Sequence, residues 1–163
     1  MSRDVLVEDI SAERFAPFGD LIDASGEPTV MINQGRCGRY HDQANLEFGA
    51  GNAAISVFEG TPYVLPLDLD MMERHPLGSQ AFIPMSADPY LAIVAPDENG
   101  TPGKPVAFRV PAGVGVNYHR NTWHAVLTPL GDTKLFAVID RVGDGDNLEE
   151  FWFDMPWRVV ESA

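Results

Sequence analysis

The apolar positions of this chain fall into short runs separated by turn-forming residues. Thr29–Asn33, Ala53–Glu59, Tyr63–Leu69, Gln80–Met85 and Tyr90–Ala95 are β-prone, and Val106–Val110, Gly115–Tyr118, Thr122–Thr128 and Lys134–Arg141 continue the series. Runs recurring at intervals of about 8–12 residues predict a sandwich or barrel rather than alternating strands and helices. One short helix is expected before residue 20. Ser11 can cap it, Glu13 sits in its first turn, and Phe15 and Phe18 form an apolar i, i+3 pair before Pro17 and Gly19 end it. Asp97–Gly103 and Asp144–Asn147 carry turn chemistry. The segment Glu149–Trp157 mixes acids with large aromatics, which read as a final packed strand or a subunit contact. The pattern therefore predicts one all-β domain over residues 1–163.

Composition narrows the function classes. The 163 residues include 15 glycines and 13 prolines, which suits many short elements. Eleven cations against 24 acids give a net charge of −13, which argues against nucleic acid and against acidic membrane surfaces. The single cysteine, Cys37, cannot pair within the chain and reads as a structural or incidental thiol. Met1–Leu6 lacks the apolar stretch of a signal peptide, and no segment approaches the ~20 apolar residues of a membrane span. A cytoplasmic protein handling a small molecule is the resulting expectation.

Chemistry concentrates around two of the four histidines. In Glu73-Arg74-His75, strand alternation puts Glu73 and His75 on one face and Arg74 on the other. Pro76–Ser79 reads as a turn, and in the returning strand Gln80, Phe82 and Pro84 share a face. Gln80 can thus point toward the same interior as His75. The second cluster is Pro111–His124, where a glycine-rich turn leads into Asn117-Tyr118-His119-Arg120-Asn121-Thr122-Trp123-His124. So many hydrogen-bonding side chains at the start of a strand point to a cavity.

These residues carry a resemblance. Glu73-x-His75-x4-Gln80, followed by Pro111-x-Gly113 and Trp123-His124, resembles the two motifs of the cupin superfamily. The positions matching the superfamily's metal ligands are Glu73, His75, Gln80 and His124. Here Glu73 stands in place of a histidine and Gln80 in place of a glutamate, and a neutral carboxamide binds divalent cations less strongly than a carboxylate. A His/His/Glu/Gln set still suits Zn²⁺ or Ni²⁺. More specifically, Glu73–Met85 and Gly115–His124 are similar to the ureidoglycolate lyase family. So are the segments around Phe15–Gly19, Arg39–Asp42 and Ile139–Arg141, with the likeness fading after Gly143.

The resemblance implies a cupin-like antiparallel β-barrel or sandwich with a short N-terminal helix, acting as a homodimer. It implies cleavage of (S)-ureidoglycolate into glyoxylate and urea during allantoin and purine breakdown, a carbon–nitrogen lyase reaction with no organic cofactor. That reaction collapses a carbinolamide, so it needs a base, an acid and an anchor for the substrate carboxylate. His75 and His124 suit proton transfer, in either order, and Glu73 can act as base or orient an imidazole. Gln80 and Asn117 can hydrogen-bond the ureido group, and His119 is a further substrate-binding candidate. Arg74, Arg120 and Arg141 are the candidates for the carboxylate clamp, with Arg141 preferred because alternation turns Arg74 away. If a divalent metal is bound, His75, Gln80, His124 and Glu73 are its ligands. Two rival readings remain: hydrolytic release of ammonia from the same substrate, and a non-catalytic cupin that binds a small carboxylate.

Overall fold

Tyr90–Ala95 is apolar at every position, so neither of its faces can be left to water. In the computed structural model, which describes residues 3–132 and 134–163, this segment is a strand buried along its whole length between two layers. Met1 and Ser2 of the N-terminal segment read above lie outside the described residues.

The elements follow in chain order. They are β1 (Asp4–Asp9), α1 (Ala12–Phe15), β2 (Gly19–Ile22), β3 (Val30–Ile32), β4 (Cys37–Arg39), β5 (Asn52–Glu59), β6 (Leu67–Arg74), β7 (Gln80–Pro84) and β8 (Tyr90–Ala95). After these come β9 (Asp97–Glu98), β10 (Thr101–Pro102), β11 (Val106–Val110), β12 (Gly115–Tyr118), β13 (Trp123–His124), β14 (Thr128–Pro129), β15 (Leu135–Val142) and β16 (Glu149–Val160). One sheet runs β11-β1-β16-β6-β13-β8, and β8 pairs back onto β11, closing a six-stranded ring. A second sheet, β2-β12-β7-β15-β5, lies against it, and β3/β4 and β9/β10 are separate hairpins. The fold is all-β and barrel-forming. Among the described residues no helix is long and apolar enough to cross a membrane.

Two apolar clusters hold the layers. Inside the ring, Val5, Val7, Met72, Ile93, Trp123 and Val159 pack together from five of its strands. Between ring and second sheet, Phe15, Phe82, Tyr90, Phe108, Val116 and Phe136 form the other. The two faces of β8 thus serve different cores: Leu91, Ile93 and Ala95 belong to the first, Tyr90, Ala92 and Val94 to the second. The helix forms as its caps predict, with Ser11 Oγ accepting the Arg14 N–H and Phe15 fully buried beneath it.

Departures from the sequence pattern have local causes. The run Tyr63–Leu69 does not pair until Leu67, because Pro66 has no N–H to give a ladder. Thr122–Thr128 breaks into β13 and β14, and the Thr128 hydroxyl turns back to the Val126 carbonyl. β1, unread in the sequence, buries Val5 and Val7 between acids. It pairs parallel to both β11 and β16, in an otherwise antiparallel set of pairings. β16 runs twelve residues along β6, with a register shift between Trp152 and Trp157.

Candidate active site

His124 sits on β13 directly opposite Glu73 of β6 and opposite Val94 of β8, so all three side chains face the layer between the sheets. From the other sheet, Gln80 of β7 pairs with Tyr118 of β12 and faces the same layer. His75 lies on the connection that carries the chain from β6 to β7, between the two walls. The imidazoles of His75 and His124 are 5.2 Å apart by ring centroids, and Tyr118 stacks flat on His124 at 4.4 Å.

The hydrogen bonds assign the protons. His75 Nδ1 lies 2.8 Å from the Asn147 carbonyl oxygen, which can only accept, so Nδ1 donates. His75 Nε2 lies 3.1 Å from Gln80 Oε1, and Glu73 Oε1 is 3.9 Å from the same nitrogen. Gln80 Nε2 in turn donates to Asp140 Oδ2 at 3.1 Å. His124 Nδ1 donates to the Ala125 carbonyl at 2.8 Å, which leaves the Nε2 lone pair free. That Nε2 is buried and has no partner among the described residues.

Burial tunes the two groups of the ring sheet in opposite senses of charge. Desolvation, with the neighbouring His75 adding to it, pushes His124 down to about 3, so its ring is neutral at physiological pH. Desolvation pushes the Glu73 carboxyl above its usual range; His75 opposes this and Glu150, paired beside it on β16, adds to it. The site therefore offers a carboxylate of enhanced basicity, a neutral acceptor nitrogen and a second imidazole whose nitrogens both face acceptors.

Glu73, His75 and His124 also form a possible metal-binding triad. One ligand atom from each lies within 4.8 Å of the others. The unpartnered Nε2 of His124 is the feature that best fits a cation. To join such a set, His75 Nε2 would present a lone pair.

The remaining candidates lie elsewhere. Arg74 points out of the layer. It spans Glu149 at 2.6 Å and Asp97 at 2.8 Å, with its guanidinium 4.4 Å from the Trp123 ring. Asn117 and His119 lie on the far face of the second sheet, where both donate to, or share a proton with, Asp20 Oδ2 at 3.0 Å. The Asn45 N–H at 2.9 Å joins them, and these bonds together hold Asp20 below its usual value against the opposing effect of burial. Arg141 donates to the Phe48 and Asp144 carbonyls at 3.0 and 2.7 Å, in a slot where added Cβ atoms at Gly51 and Gly78 would collide with it. It packs against Gly78 of the turn that joins His75 to Gln80. Arg120 lies 3.8 Å from Glu47 at the surface. Cys37 is a free thiol on the outlying β3/β4 hairpin.

Three contributors were not singled out in the sequence. Tyr118 was visible only as one residue of its cluster. Asp140 stood next to the preferred Arg141, and two-residue alternation from Val138 would have turned it inward. Asn147 contributes a backbone oxygen, and its side-chain oxygen accepts the Leu77 N–H at 2.8 Å. No residue type announces a backbone acceptor.

Comparison with known proteins gives a single answer. The ureidoglycolate lyase family model matches residues 2–160, so the likeness continues well past Gly143, where the motifs thin out. The chain is 51% identical over 159 residues to the ureidoglycolate lyase of Chelativorans sp. (strain BNC1), covering 96% of both chains. It is 50% identical over 155 residues to ureidoglycolate lyase 2 of Rhizobium meliloti (strain 1021), covering 94% of this chain and 95% of that one. With the Mesorhizobium japonicum ureidoglycolate lyase the identity is 52% over 152 residues, at 92% and 93% coverage.

Proposed function

The chain belongs to the ureidoglycolate lyase family, and on that premise we infer that it cleaves ureidoglycolate to glyoxylate and urea at the cluster of Glu73, His75 and His124. The observation that carries the location is the pairing, within one layer, of a carboxylate raised by burial with two imidazoles in unlike hydrogen-bonding states.

Cleavage removes the proton of the carbinol hydroxyl, forms the C=O of glyoxylate, breaks the C–N bond and places a proton on the departing urea nitrogen. Glu73 is the base, because desolvation makes its carboxylate the stronger proton acceptor. His75 is the acid, with its Nε2 proton delivered to the urea nitrogen. Neutral His124 accepts a hydrogen bond from a ureido N–H of the substrate and orients it, and its stacking on Tyr118 fixes the ring. Gln80 holds His75 in place. His75 Nε2 stands 3.9 Å from Glu73, and the proton taken by Glu73 returns to it through one water, which resets the site.

The triad fits a divalent cation, and Glu73, His75 and His124, with Gln80 Oε1 beside them, would hold Zn²⁺ or Ni²⁺. Such an ion supplies polarisation of the substrate hydroxyl or carboxylate. Added Zn²⁺ is expected to raise the thermal midpoint of the wild type and not that of Glu73→Gln. An equal rise in both removes the triad as its site.

We further propose a cytoplasmic homodimer. Ile55, Val57 and Val64 are 78%, 59% and 82% exposed around the edge strand β5, an apolar surface that a second copy would cover. Sedimentation of the purified protein tests the dimer, and a monomer at micromolar concentration refutes it.

The function is tested by incubating purified protein with each enantiomer of ureidoglycolate, with and without chelator, and assaying glyoxylate, urea and ammonia separately. Equimolar glyoxylate and urea are expected. Ammonia without urea identifies amide hydrolysis instead, and saturable binding without turnover identifies a non-catalytic binder; either overturns the lyase reading.

A further inference from the structure

We propose that Asp140 is a positioning residue for this reaction: by accepting from Gln80 it fixes which way the carboxamide faces, and through Gln80 it fixes which group His75 Nε2 meets. The inference rests on the lyase reading for its kinetic consequence, while its structural content stands by itself.

Gln80 is 6% exposed and therefore has to satisfy its donors and acceptor inside the protein. A carboxamide can be seated in two ways that differ only in exchanging N for O. Asp140 projects from β15 into the layer, in step with Phe136 and Val138 of its own strand. Its Oδ2 lies 3.1 Å from Gln80 Nε2. With the amide turned over, Gln80 Oε1 would meet this carboxylate oxygen, and two acceptors would be in contact with no proton between them. The carboxylate thus selects one seating. In that seating Oε1 faces His75 Nε2 at 3.1 Å and accepts from it. At the other end of the ring the Asn147 carbonyl accepts from Nδ1.

The bonds then run with one polarity. Both nitrogens of His75 face acceptors, the Asn147 carbonyl on one side and Gln80 Oε1 on the other, and Gln80 gives onward to Asp140. This explains why an amide, rather than an acid, stands at position 80 beside an acid at position 140. Glutamate at 80 would set two carboxylates about 3 Å apart, as the amide and acid now are, where like charges destabilise one another strongly. The two positions form a matched pair, and the match can be exchanged. In Gln80→Glu with Asp140→Asn, the new amide at 140 donates to the new carboxylate at 80, which still accepts from His75.

The experiment compares the wild type with Gln80→Glu, Asp140→Asn, the double exchange and Asp140→Leu. Each is followed by thermal unfolding, by kcat and KM separately, and by the ¹⁵N-resolved signals of the Gln80 side-chain amide. Gln80→Glu is expected to lower kcat/KM by about 10²–10⁴-fold, the range for disabling an acid or base. The double exchange should recover at least tenfold of that loss (about 1.4 kcal/mol of coupling) and should regain the lost thermal midpoint. Asp140→Leu should lower kcat while KM stays within a few-fold, and should abolish the slowly exchanging Gln80 amide signal. If Gln80→Glu fails to fold while the double exchange folds, the pairing is shown by that alone.

Simple addition of the two single effects, in both stability and activity, overturns the proposal. So does an unchanged Gln80 amide signal in Asp140→Leu. A wild type that does not turn over ureidoglycolate refutes the lyase reading but leaves the unfolding and amide readouts to decide the positioning.

Discussion

Replacing His124 with phenylalanine should make the protein less sensitive to acid, by an amount that follows from the residue's surroundings. The ring is 2% exposed, stacked parallel to Tyr118, and donates to the Ala125 carbonyl through Nδ1. Its Nε2 has no partner. In the native state it takes a proton only near pH 3, and in the unfolded chain near its ordinary 6.5. Between those values the unfolded state binds one more proton at this residue than the native state does, so stability rises with pH there and falls as the solution is acidified. The slope approaches ~1.4 kcal/mol per pH unit, and from about pH 6.5 to 4.5 the wild type loses roughly 2–3 kcal/mol through this residue. Phenylalanine keeps an aromatic ring for the stack, in a slightly larger volume, and cannot be protonated. Its cost, the Ala125 carbonyl left without its donor, is about 1 kcal/mol and does not depend on pH. Glu73 is present in both proteins, so its own titration largely cancels in the comparison. The assay is urea unfolding of both proteins at half-unit steps from pH 7.5 to 4.5. The stability difference should shift by about 2–3 kcal/mol in favour of the variant across that range. A difference that stays flat would mean that His124 is protonated, or hydrated, in the folded protein, and the argument for a neutral acceptor would fall.

Three further outcomes follow from the same geometry. His75→Ala and His124→Ala should each lower kcat/KM by about 10²–10⁴-fold, and the double variant should be little worse than either, as for groups acting as a unit; full additivity would separate the two imidazoles mechanistically. Arg74→Ala should cost about 1–2 kcal/mol in chemical denaturation, since its two acidic partners are roughly half exposed and the Trp123 contact supplies part of the total, while kcat/KM stays within a few-fold; a large loss of activity would restore Arg74 to the substrate. Gly78→Ala should lower the melting midpoint, at about 1–3 kcal/mol, because its Cβ would stand 2.8 Å from Arg141 Cβ and 3.0 Å from the Glu47 carbonyl oxygen; an unchanged midpoint would show that the Arg141 slot is loose.

Much of this architecture is written locally in the chain. Tyr90–Ala95, Val106–Val110 and Gly115–Tyr118 are strands from end to end as their runs indicate, because runs this short, bounded by turn residues and rich in β-branched and aromatic side chains, fit a buried pleated strand. Ser11 and Phe15 similarly determine the helix start and its buried face from within a few residues. The Glu73–His75–Gln80 spacing already places a carboxylate, an imidazole and an amide on converging faces, since strand alternation and a four-residue turn are short-range geometry. What the tertiary structure alone decides depends on partners far away in sequence. β1 becomes a parallel ring strand only when Ala107 and Val159 arrive beside it, and an acid-flanked Val-Leu-Val carries no mark of that. His124 becomes neutral through desolvation by a layer assembled from both sheets, and the same histidine in an open strand would titrate normally. Asp140 and the Asn147 carbonyl reach His75 across separations of 60 and 72 residues, from Gln80 in the first case and from His75 itself in the second. Residue type and spacing select the groups that can do this chemistry, but the direction of each proton is set by which acceptor the folded chain brings to it.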